Sequence, residues 1–187
     1  MFLHTKVGML LLAAAAVFVL AAGRAGAVEL VIGEETVAPG IVFIFEGAVK
    51  DDITPASRHL PMDKTHVHLE ARVNWAEQSI PRGTPAGGFV PYLTITAQVT
   101  NRKTGAVLMT DLLPHINLID NFHYARNIAL PGAIDDRYEV VFHAAPAVGE
   151  LSYHLDWREQ HGGDLFGEAS FRYPDVDFEA IAKATRN

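Results

Sequence analysis

The sequence predicts an all-β chain, an immunoglobulin-like antiparallel β-sandwich, and three observations carry that expectation. Short runs of β-branched and aromatic residues recur along the chain, each closed by a cluster of Gly, Pro, Asn or Asp. No helix separates them, so there is no βαβ alternation to support a parallel sheet. The runs recur at the spacing of a sandwich, with an up-and-down barrel as the alternative closure.

Taken in order, Met1–Ala27 reads as a secretory signal peptide: Lys6, an apolar run from Val7 to Ala22, and Ala25-Gly26-Ala27 as a small-residue cleavage site. A single membrane span is the other reading of that run. The expected mature domain is 28–187, about 160 residues, enough for one core. The chain has no cysteine, which excludes disulfides, thiolate ligands and lipid attachment at cysteine. Its net charge of −7 becomes −9 once Lys6 and Arg24 leave with the leader, so nucleic acid is not an expected partner. Export through the signal peptide makes the expected location periplasmic.

Val28–Val31 is a short first strand, with Gly33-Glu34-Glu35 as a turn, and Gly40–Phe45 is a buried strand. The segment 50–64 reads as a loop, and so does 78–88, whose Pro and Gly no helix interior tolerates. Phe89–Thr100 is the clearest strand. A turn at Asn101–Gly105 then returns the chain into Ala106–Leu113, with Pro114 as an interruption. The segment 117–125 reads as a loop, Tyr138–His143 as a strand, Leu151–Trp157 and Glu168–Tyr173 as further strands, and 175–184 as a terminal helical turn or two.

Chemistry concentrates in Thr65-His66-Val67-His68-Leu69-Glu70, the start of a strand that runs on to Trp75. Alternation puts His66, His68 and Glu70 on one face and Val67 and Leu69 on the other. A polar face that merely meets water gives the same pattern. With His115, His123 and His154, however, the residues form a nitrogen-rich, oxygen-supplemented set suited to Cu(II), Zn(II) or Fe(II). His66 reads as a neighbour of that set, His143 as a packed or hydrogen-bonded histidine, and His59 and His161 as loop residues open to solvent.

Six segments resemble the periplasmic copper- and iron-binding proteins of bacterial iron uptake, a family that includes a treponemal membrane-antigen lipoprotein. They are Leu60-Pro61 with His66–Ala71, Val90–Ile95, Leu113–His115, His123–Ile128, Leu130–Gly132 and Tyr138–His143. The resemblance implies an immunoglobulin-like sandwich, a homodimer, a copper site close to one for iron or manganese, and work beside an inner-membrane iron permease. It places metal ligands at His68, Glu70, His115, His123 and His154, the last followed two residues on by Asp156. At His115 the family carries methionine after its proline, so imidazole here replaces a thioether. The interval from there to His123 is one residue longer than in the family. The family's Met-Glu segment ahead of the histidine strand has no clear counterpart, although Asp51, Asp52 and Met62 lie in that region.

A binding protein rather than an enzyme is therefore the expectation. His-Val-His on a sandwich also fits a copper-zinc superoxide dismutase, but that enzyme carries a disulfide and a Gly- and Asp-rich metal loop. A copper or zinc chaperone or store is a second alternative, and an adhesive sandwich with incidental histidines a third. A serine hydrolase is disfavoured because no Ser sits in a Gly-x-Ser-x-Gly elbow.

Overall fold

The computed structural model describes residues 29–185; the predicted leader lies outside them. Eight strands form one antiparallel sheet: β1 (Glu29–Val37), β2 (Ile41–Ala48), β3 (Val67–Trp75), β4 (Leu93–Asn101), β5 (Val107–Asn117), β6 (Asn121–Ile128), β7 (Arg137–Pro146) and β8 (Ala169–Asp177). Their order across the sheet is β1-β2-β3-β6-β5-β4-β7-β8. The all-β antiparallel class is as expected. The ladder, however, is continuous rather than split into two separate sheets, because β5 pairs with β4 through Leu112 and with β6 from Leu113 onward. Pro114, which has no N–H to give a ladder, sits at this change of partner instead of ending the strand.

The sheet curls over one core. Ile41, Phe43 and Phe45 alternate inward along β2, and Phe45 stacks on Phe142 of β7 with ring centres 4.1 Å apart. That contact joins the two halves of the sheet face to face, and truncating either ring to Ala costs about 3–5 kcal/mol. The outer strands approach each other, and Tyr173 of β8 donates from its hydroxyl to Glu35 of β1 at 3.4 Å. Gly33 permits this, since a Cβ there would fall 2.1 Å from the Tyr173 ring. Gly33-Glu34-Glu35 is thus an irregular stretch inside β1, where the register shifts, and not the expected turn.

Two other expectations are corrected. Residues 117–125 are not a loop: β5 runs through Asn117, and β6 begins at Asn121 after a tight turn. Asn117 closes that turn, its side-chain oxygen accepting from the N–H groups of Ile119 and Asp120 at 2.8 and 2.6 Å. Leu151–Trp157 is not a strand, because its second half opens the helix α1 (Leu155–His161). Tyr153 and Trp157, four apart, then stack with ring centres 6.4 Å apart, whereas on an extended strand they would share a face but stand about 13 Å apart. A shorter helix, α2 (Glu179–Lys183), buries Ile181 and Ala182 after a β8 that extends to Asp177.

Candidate metal centre

On β3 the inward residues are Val67, Leu69, Ala71, Val73 and Trp75, which leaves His68, Glu70 and Arg72 on the outer face. Ladder register extends that face sideways. Glu46 of β2 lies opposite Glu70, and Asn127 and Ala125 of β6 lie opposite His68 and Glu70. His115 of β5 lies opposite His123 of β6. An outer face is normally wet, yet His68, Glu70, His123 and Asn127 are all at most 4% exposed. The loop between β2 and β3 folds over part of this face. Asn127 holds it there, its side-chain amide donating to the carbonyls of Asp51 and Leu60 at 2.8 and 2.9 Å.

Hydrogen bonding assigns the imidazole nitrogens. Because the Asn127 NH₂ group is committed to the loop, its oxygen faces His68 Nδ1 at 2.8 Å, and His68 must donate from that nitrogen. His115 Nδ1 donates to the Leu113 carbonyl at 2.7 Å and His123 Nδ1 to that of Asn121 at 3.4 Å. Each neutral ring is left with Nε2 as its acceptor, the form that binds a cation. Burial holds the His115 and His123 imidazoles below their usual pKa, in His123 with help from His115.

The carboxylate side is a paired cluster. Arg72 donates from Nε and Nη2 to the two oxygens of buried Glu46, at 2.6 and 2.8 Å, in a bidentate fork. Glu70, next to this pair, has no such fork. Burial, then Asp120 and Glu46, push its pKa up to about 8. One ligand atom from each of His68, Glu70 and His123 lies within 4.8 Å of the others, with Glu70 Oε1 3.6 Å from His68 Nε2. A carboxyl that is costly to ionise beside neutral imidazoles suits a divalent cation, which would hold Glu70 as the anion.

The ring of His115 stands 5.3 Å from that of His68 and 5.7 Å from that of His123, at a cavity of about 340 Å³. Its Nε2 is buried without a hydrogen-bond partner. His115 stays opposite His123 across the β5–β6 hairpin, so the longer interval between them does not carry it away from the cluster.

His154 is not brought to the cluster within the chain. It stands exposed at the N-terminus of α1 and lines a different cavity with Trp75 and Trp157. Trp75 lies seven residues along β3 from His68, roughly 23 Å at strand rise. His66 accepts from the Leu130 N–H at 3.0 Å, and His143 is paired with the Ser170 hydroxyl at 2.7 Å, so both behave as bonded neighbours. His161 packs on Trp157. His59, read from sequence as a solvent-facing loop residue, instead lines the cavity with its ring 4.8 Å from that of His115. No spacing rule links it to β3; it arrives on the covering loop.

Fold and site together define a β-protein with a buried cluster of imidazole and carboxylate groups spaced as metal donors. Residues 26–180 match the Fe2+ transport protein family, and the chain belongs to it. It is 29% identical over 157 residues to the 34 kDa membrane antigen of Treponema pallidum, covering 79% of this chain and 72% of that one. A UPF0423 protein of Brucella abortus is 27% identical over 156 residues, covering 81% and 83%. Among solved structures, FetP of uropathogenic Escherichia coli, produced in the periplasm, superposes with a TM-score of 0.66 at 26% identity, covering 81% of this chain and 97% of that one. A copper-bound variant of Campylobacter jejuni P19 gives a TM-score of 0.67 at 26% identity, covering 79% and 97%. Among the described residues no helix is long and apolar enough to cross a membrane.

Proposed function

We propose that this chain is a periplasmic, non-enzymatic metal-binding protein that takes up copper together with iron or manganese and assists iron uptake beside an inner-membrane permease. The observation that carries this reading is the convergence of His68, His115 and His123, each turned by a backbone or amide partner so that Nε2 is its acceptor, beside a carboxyl that burial disfavours as an anion. The copper-bound relatives support the copper part, and the family's description supports iron. Imidazole serves copper well, and the Glu70 oxygen suits the harder iron or manganese ion. The residues hold, orient and dehydrate the ion; the redox or ligand-exchange chemistry is the metal's own.

Dimerisation belongs to the same proposal. His154 lines the cavity of Trp75, which stands roughly 23 Å along β3 from His68, and a second copy of the chain is the route by which His154 would reach such a site. Calorimetric titration of metal-free protein with Cu(II), Fe(II) and Mn(II), with sedimentation before and after, tests the reading. Heat at stoichiometric metal and a raised melting temperature are expected, because a ligand bound only by the folded state stabilises it. No binding and no change in melting would sink it.

A further inference from the structure

We infer that His59 is a metal ligand in this chain, acting with His115 from the covering loop, so that the site combines four imidazoles with the Glu70 carboxylate. The inference rests on the metal-binding reading above and adds a donor that the family resemblance does not supply. Three observations carry it. The Nδ1 of His59 and the Nε2 of His115 are both buried without a hydrogen-bond partner, and buried imidazole nitrogens are normally satisfied. Both rings line the same cavity as His68 and His123.

The spacing also fits. A nitrogen about 2.1 Å from an ion puts its ring centre roughly 3.2 Å away, so two imidazoles on one ion stand roughly 4.5–5.2 Å apart at square or tetrahedral angles and roughly 6.4 Å apart when trans. The ring-centre spacings are 4.8 Å for His59–His115, 5.3 Å for His68–His115, 5.7 Å for His115–His123 and 6.1 Å for His68–His123. Hydrogen-bonded packing does not explain the His59–His115 pair, since neither orphan nitrogen has an acceptor or donor to meet.

The loop is placed for this role. Asn127 ties both of its limbs, at Asp51 and Leu60, to the strand that bears His123, and Thr65 bonds the Pro61 carbonyl at 2.9 Å. His59 lies one residue before the Leu60 anchor, so its backbone position follows the sheet. With imidazole at both 59 and 115 in place of a thioether, the ligand set favours Cu(II) or Zn(II) over Cu(I).

The test uses Zn(II), which is diamagnetic, on the mature protein with ¹⁵N-labelled histidine. Two-bond imidazole spectra should show the His59 Nδ1 resonance moving to a metal-bound position on Zn(II) saturation, along with the resonances of His115, His68 and His123. His59→Ala should bind Cu(II) at least about tenfold more weakly, and its Cu(II) spin-echo spectrum should lose one imidazole. A His59 Nδ1 resonance unmoved while those of His68 and His123 shift overturns this inference and leaves the metal-binding reading standing. Absence of any shift in all four removes both. Should His59→Ala fail to fold, the wild-type spectra decide alone.

Discussion

Replacing Glu70 with Gln converts the carboxyl's burial into a measurable pH dependence of the metal-free protein. Burial, then Asp120 and Glu46, keep this group protonated up to about pH 8, whereas its ordinary value is 4.5. Between those values the folded state holds more protons than the unfolded chain, so stability falls as pH rises through the window. The slope approaches about 1.4 kcal/mol per pH unit, which caps the whole effect at about 5 kcal/mol. Burial holds the neighbouring His115 and His123 imidazoles below their ordinary value of about 6.5, so the interval from about pH 7 to about pH 9 reads Glu70 rather than these rings. Over it the wild type should lose about 1.4 kcal/mol and Glu70→Gln nothing. Urea denaturation with a chelator present reads both values. Equal losses in the two proteins, or a flat wild-type profile, would refute the assignment of a costly buried carboxyl. The same proton must leave when a cation binds, so wild-type affinity should rise with pH up to about 8 more steeply than that of the Gln variant.

His123→Ala should weaken copper binding by at least about two orders of magnitude while the apo protein stays folded, since the residue lies outside the core; unchanged affinity by competition titration would remove it from the site. His115→Met should shift preference toward Cu(I) and flatten the acid limb of the binding curve, because a thioether has no proton to lose; identical pH profiles for the two proteins would exclude His115 as a ligand. Asn127→Ala should free the loop and the His68 tautomer together, costing about 1–3 kcal/mol in apo stability and about tenfold to a hundredfold in affinity. Hydrogen exchange confined to residues 50–64 would report the released loop, and wild-type protection there would argue against the anchor.

Much of this protein is determined by local sequence. Alternation alone assigns His68 and Glu70 to one face of β3 and Val67, Leu69 and Ala71 to the other, because the strand period is two whatever the surroundings. The strands around Phe43, Ile95 and Phe142 are equally legible, since β-branched and aromatic runs bounded by turn residues have few other uses. Residues 151–157 were not, because a short apolar run fits either period and only the stacking of Tyr153 on Trp157 shows the helical one.

Tertiary structure decided what depends on residues distant in the chain. His115 and His123 face one another because β5 leaves β4 for β6 at Leu113, a choice no window around either histidine contains. His59 enters the centre because Asn127, 67 residues from Leu60, ties the covering loop to the sheet. His154 carries the same side chain as these and is left outside, because α1 places it on the cavity that also holds Trp75, at the far end of β3 from His68. Residue type supplies the donor atom; only the folded ladder and the loop bonded across it set which donors converge.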